Sequence, residues 1–189
     1  MVDTTRPLLI ELGTEELPPK ALRTLSAAFT NDFASTLKEA GVVEQDAIPK
    51  GYAAPRRLAI LIDAVAASQP TQTVERRGPA VQAAFKDGEP TPAALGFARS
   101  CGVKVDQLDR LTTDKGEWLS FSVEETGASI TELAQQALDQ AIKRLPIPKR
   151  MRWGDYDAEF VRPAKWLVAL YGDEVLPLNC LNLTAGRTS

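Results

Sequence analysis

Apolar residues at Leu22, Leu25, Phe29, Phe33 and Leu37 recur at helical spacing between Lys20 and Ala40, which puts one stripe of that segment against a core. Pro18 and Pro19 pre-set its first turn, and Gly41 suits the residue that closes it. A second stripe, Leu133, Ala137, Leu138, Ala141, Ile142 and Leu145, opens at Ser129-Ile130-Thr131-Glu132, which has the spacing of a capping box. Lys143 and Arg144 fall in its last turn, where cations suit the helix dipole, and Pro146 and Pro148 stop it. A shorter helix is predicted from Thr91 as N-cap, with Pro92 at the first helical position, to Gly102. Leu95 and Phe97 are its expected packing residues.

The strand pattern has period two. Leu8–Leu12 is a short apolar run, read as a buried strand. Residues Lys50–Ala64 read as one strand, with Leu58, Ile60 and Ile62 on one face, Leu61 on the other and Pro55 at its entry. In Lys115–Glu124, Leu119, Phe121 and Val123 alternate with Trp118, Ser120 and Ser122, as in a half-exposed strand. Residues 166–183 read as two apolar strands joined at Gly172-Asp173. The polar stretch before Gly78 reads as a loop with a short extended end, and Val103–Thr113 as a connector. Strands and helices do not alternate regularly. The expected fold class is therefore α+β, a mostly antiparallel sheet with about three helices on one side or end. Residues 1–189 are expected to form one such unit, with a subdomain division near residue 70 as the alternative.

Composition narrows the chemistry. A chain of 189 residues, 44% hydrophobic and 25% charged, is long enough to bury a core and has the make-up of a soluble globular protein. No apolar run approaches the roughly 18 residues of a membrane span, and the N-terminus has no signal-peptide core. A cytoplasmic protein without a membrane partner is expected. There is no histidine, which removes imidazole bases, the Ser-His-Asp triad and the usual zinc sites. Cys101 and Cys180 lie outside any C-x-x-C spacing and read as reduced thiols. Neither common phosphate cradle, G-x-x-x-x-G-K-[ST] or G-x-G-x-x-G, is present. No catalytic or metal-ligating set is predicted. Net charge is −3, so RNA contact would have to come from a local patch.

The richest local patch runs from Leu145 to Leu170, where Lys149, Arg150, Arg152, Arg162 and Lys165 surround Trp153, Tyr156, Phe160 and Trp166. Basic groups grip phosphates and aromatic faces stack on bases. The same residues also suit a core, with Arg150, Arg152 and Arg162 paired to Asp155, Asp157 and Glu159. Two doublets, Arg56-Arg57 and Arg76-Arg77, would form one patch if their strands paired. Glu11, Glu15 and Glu16 cluster at a strand-to-helix turn, as an amine or metal site or as acids near a helix N-terminus.

Six blocks carry a resemblance: I-E-L-G-T-E-E-L-P-P (10–19), A-P-R-R-L-A (54–59), R-G-P (77–79), G-F-A-R (96–99), T-T-D-K-G-E-W-L (112–119) and L-P-I-P-K-R-M-R-W-G (145–154) with F-V-R-P (160–163). In this order and spacing they resemble the start of the β subunit of bacterial glycyl-tRNA synthetase. The resemblance implies a heterotetramer of two α and two β subunits that joins glycine to tRNA(Gly) with ATP and Mg²⁺. The α subunit would hold the class II catalytic core and use the ATP and Mg²⁺. This chain would bind no cofactor itself, and it shows no H-I-G-H, K-M-S-K-S or class II arginine motif. It stops at Ser189, before the family's Gly-His-Arg-Phe block and anticodon-binding part, so a fragment without activity of its own is expected. Its expected partners are the α subunit and tRNA(Gly), not DNA. The candidate tRNA or partner contacts are Arg56, Arg57, Arg76, Arg77, Lys149, Arg150, Arg152, Trp153, Arg162 and Lys165. The competing readings are a stand-alone RNA-binding module and a small acid-catalysed enzyme built on Glu11, Glu15 and Glu16.

Overall fold

The computed structural model describes residues 5–86, 88–113, 116–125, 127–155 and 157–189. In chain order, strand β1 (Arg6–Thr14) leads through a 3-10 turn (Pro19–Ala21) into helix α1 (Leu22–Glu39). Strands β2 (Lys50–Ala54), β3 (Arg57–Val65) and β4 (Gln72–Ala80) follow, then the single turn α2 (Val81–Ala84). The short pair β5 (Phe85–Lys86) and β6 (Glu89–Pro90) precedes α3 (Pro92–Cys101). A 3-10 turn, Val105–Gln107, leads to β7 (Asp109–Thr113), β8 (Gly116–Glu125) and α4 (Ile130–Arg144). The chain continues through β9 (Met151–Arg152), β10 (Glu159–Phe160), β11 (Ala164–Tyr171), β12 (Glu174–Val175), β13 (Asn179–Cys180) and β14 (Leu183–Thr184). All strand pairs named here are antiparallel, and the α+β class expected from the pattern is what forms.

Two compact units result. One joins the residues up to Pro70 with Ala128–Ser189; the other is Thr71–Gly127. The first is built on a five-stranded sheet in the order β12-β11-β1-β3-β2. Because side chains alternate across a strand, one face gathers Leu8, Ile10 and Leu12 of β1, Leu58, Ile60 and Ile62 of β3, and Leu167, Ala169 and Tyr171 of β11. That face shares one core with Leu25, Phe29, Phe33 and Leu37 of α1 and with Leu133, Ala137, Leu138 and Ala141 of α4. Both helical stripes are therefore the predicted ones. The predicted stop and start signals also operate. Gly41 closes α1 with φ +73°, its N–H donating to Lys38 O, while Val42 N–H donates to Leu37 O. Ser129 N–H donates to Glu132 at 2.9 Å and Glu132 N–H to Ser129 Oγ at 3.4 Å, which completes the capping box. The Ser129 N–H bond, together with a second bond that the Ser129 hydroxyl donates to the same carboxylate at 2.8 Å, holds the Glu132 carboxyl below the usual range.

The second unit centres on β8, paired with β4 on one side and β7 on the other. Its smaller core joins Leu119, Ala84 and Ala94 with Phe85 and Phe97. Thr91 takes the N-cap position of α3, but its hydroxyl donates back to Ala83 O and Ala84 O rather than capping.

Several expectations are corrected. Lys50–Ala64 is not one strand but a hairpin, because Pro55-Arg56 forms a two-residue turn that pairs Ala54 with Arg57. The polar stretch before Gly78 does end extended, but the extended part is longer than expected: strand β4 takes up Gln72–Ala80, since β8 completes its backbone hydrogen bonds whether or not its side chains are apolar. The connector contains β7 for the same reason. Leu95 is 47% exposed, so of the two expected packing residues in α3 only Phe97 joins the core. In β8 both Leu119 and Ser120 are buried, which breaks the expected alternation. Gly172-Asp173 makes the predicted hairpin turn, but β12 ends after two residues, just before Leu176-Pro177.

Cys180 is buried, which pushes its thiol up to about 12; Cys101 is half-buried. No described helix is long and apolar enough to cross a membrane.

At the sheet edge, helix α1 crosses so close to β2 that a Cβ on Gly51 would lie 2.2 Å from Thr30 Oγ1. Gly51→Ala should therefore destabilise the fold by about 2 kcal/mol in urea unfolding. Adding Thr30→Ala should return much of that loss, and strictly additive effects in this double-mutant cycle would refute the contact.

Candidate functional site

The end of the main sheet is built from three stretches far apart in the chain. β1 runs out through Gly13 and Thr14, where its register with β11 shifts. Thr14 N–H then donates to Arg56 O, Glu15 N–H to Pro163 O, and Leu17 N–H to Pro55 O. Residues 13–17 are thus stitched on one side to the β2–β3 turn and on the other to the entry of β11. Beneath this seam Trp166 lies across Gly13, and a Cβ at position 13 would sit 1.9 Å from its ring. Gly13 is there to admit an indole, and its φ is not positive. Trp166 Nε1–H donates to Glu11 at 2.8 Å. Arg57 reaches the other Glu11 oxygen at 3.1 Å, with its guanidinium 5.8 Å from the Trp166 ring centre.

Around this anchor the charges are exposed and paired. Lys165 binds Glu15 at 2.9 Å, and Arg56 binds Glu16 at 3.3 Å. The Lys165 hydrogen bond, its charge and the charge of Arg56 hold the Glu15 carboxyl below its ordinary range. Arg162 donates to Glu16 O and Val161 O. The side chains border an open cleft of about 580 Å³ lined by Glu15, Glu16, Leu17, Pro18, Pro19, Pro55, Arg56 and Arg162. Of the ten candidate contacts, Arg56, Arg57, Arg162 and Lys165 meet here, together with all three glutamates. Among the described residues no group of three or more His, Cys, Asp or Glu could hold a metal.

The remaining candidates are elsewhere. Arg76 and Arg77 lie on β4 in the second unit, and Arg77 stacks on Trp118 at 3.7 Å. β4 pairs with β8 and β3 with β1 and β2, so the two arginine doublets do not form one patch by strand pairing. Arg150 donates to Ile142 O and Lys143 O, which satisfies carbonyls at the C-terminus of α4. Arg152 pairs with Asp157, one of the acids expected for it. Trp153 packs against the main core and Phe160 is fully buried within it. Lys149 is exposed, and Tyr156 lies outside the described residues. Sequence reasoning missed the Gly13–Trp166–Glu11 contact. Its members are up to 155 positions apart, and no local signal joins them.

The class of protein these features define is an α+β unit with a mixed-charge rim knitted from separate blocks. A family model described as glycyl-tRNA synthetase beta subunit matches residues 8–189. The chain is similar to the glycine–tRNA ligase beta subunit of Chromohalobacter salexigens, with 51% identity over 183 residues, covering 97% of this chain and 26% of that protein. It is 51% identical over 184 residues to the corresponding subunit of Marinobacter nauticus, with the same coverage. It is 47% identical over 185 residues to that of Edwardsiella ictaluri, covering 97% of this chain and 27% of the relative. The chain belongs to the glycyl-tRNA synthetase beta subunit family, and it spans about a quarter of the length of these relatives.

If Arg150 works as a helix cap, Arg150→Ala should cost about 1 kcal/mol of stability. Arg152→Ala, which removes an exposed ion pair, should cost roughly 0.5 kcal/mol or less. Equal losses in thermal unfolding would argue against the cap.

Proposed function

We propose that this chain is the N-terminal, non-catalytic region of the β subunit of a heterotetrameric glycyl-tRNA synthetase, a class II enzyme of the cytoplasm. Its part is scaffolding and docking within a complex that ligates glycine to tRNA(Gly). ATP and Mg²⁺ are used through the α subunit. The observation that carries the reading is identity near one half over 97% of the chain with proteins named as that subunit. The use of the basic residues supports it. Arg56, Arg57, Arg152 and Lys165 each pair with a carboxylate, and Arg150 caps a helix. Cations already engaged in this way release few counterions on meeting RNA, so strong binding by this region alone is not expected.

The corresponding full-length β subunit, mixed with its α subunit, should charge tRNA with glycine, and deleting this region should reduce charging to background. Undiminished charging after the deletion would sink the proposal. The alternative of an independent RNA module is tested by titrating the 189-residue chain with tRNA. No micromolar binding is expected; binding with a log–log salt slope of about −0.7 to −0.9 per neutralised phosphate would favour the module instead.

A further inference from the structure

The second unit carries an apolar groove with a basic rim. Two hollows of about 420 and 470 Å³ adjoin at Val105. One is lined by Leu95 and Ala98 of α3 and by Val103 just beyond it. The other is lined by Phe85, Pro90 and Leu108, with the buried Leu119 at its base. We infer that this groove binds an acidic protein segment, one that offers aliphatic side chains to the hollows and carboxylates to the rim. The inference stands apart from the ligase function proposed above.

The apolar lining is within reach of a partner. Leu95 is 47% exposed, and Phe85, Pro90, Val103, Val105 and Leu108 are half-buried. Apolar area still wetted in the folded chain is what a partner gains by covering it. The walls are already fixed by backbone bonds. Gly102 N–H donates to Arg99 O and Val103 N–H to Ala98 O, which closes α3, and Leu108 N–H donates to Val105 O. A preformed groove costs little ordering when it is filled.

The rim sets the sign of the partner. Arg99, Lys104 and Arg110 line the hollows against a single carboxylate, Asp106. This local excess of cations stands in a chain whose net charge is −3. At the end of the main sheet Arg56 and Lys165 are paired with glutamates. Here, among the described residues, no carboxylate is paired with Arg99, Lys104 or Arg110. Carboxylates on a partner would meet these cations without displacing acids of this chain.

The lining favours a protein segment over RNA. Single-stranded RNA is held by stacking its bases on aromatic faces. The hollows offer one ring, Phe85, and the Arg110 guanidinium already lies 5.9 Å from its centre. The other apolar walls are aliphatic or proline. Phosphates on the rim would leave those walls in water, whereas leucine-like side chains fill them.

The test titrates the 189-residue chain, by fluorescence anisotropy, with a short labelled peptide that carries leucines at helical spacing among Glu and Asp. It should bind roughly tenfold more tightly than the same peptide with Lys in place of the acids, or with Ser in place of the leucines. Leu95→Ser and Lys104→Glu should each weaken the acidic peptide by about fivefold to tenfold. Both positions are exposed, so thermal unfolding of the variants should match the parent. Binding no tighter than that of the control peptides, or unchanged by either variant, would overturn the inference. Tighter binding of oligouridine than of the acidic peptide, lost in Lys104→Glu, would assign the groove to RNA and overturn it as well.

Discussion

Strand β1 is the element on which the main unit depends. It is paired along both edges, to β3 and to β11, and one of its faces is buried from Leu8 to Thr14. A strand placed so must be apolar on that face and free of proline where it donates to the ladder, and Leu8-Leu9-Ile10-Glu11-Leu12 meets both conditions. It also brings residues 57–65 and 164–171, about a hundred positions apart, to its two sides. The helices then have one surface to cover, and α1 and α4 pack beside each other in doing so.

The polar end of β1 turns this packing into a surface. Glu11 is drawn down to Trp166 and Arg57, and its side chain is only 12% exposed. Glu15 and Glu16, beyond the end of the strand, remain at the surface with Lys165 and Arg56. One short segment therefore supplies both a half-buried anchor and an exposed rim. The seam of backbone bonds from Thr14, Glu15 and Leu17 holds the two together.

The blocks that mark the family sort by unit. Residues 10–19, 54–59 and 160–163 meet at the rim. Residues 77–79, 96–99 and 116–119 of the remaining blocks meet in the second unit, where Gly78 lies against the Phe97 ring and Arg77 on Trp118. The segment 145–154 is spent largely on the fold, with Arg150 on the end of α4 and Trp153 against the core. The basic-aromatic composition that suggested an RNA grip is in good part a set of caps, pairs and packing residues.

The sequence by itself determined the helices α1 and α4, their caps and stops, and the buried faces of β1 and β3. Each of these rests on contacts within a few residues or on a period that one segment displays alone. It also determined the family, through blocks whose identity does not depend on how they fold. Only the tertiary structure decided that a polar stretch becomes β4, because ladder bonds come from a partner strand about 50 residues away. Only the tertiary structure decided that Gly13 makes room for Trp166, and which acid meets each arginine. Those contacts are between side chains brought together by chain reversal, and a long, flexible cation has many carboxylates within reach until the backbone chooses one.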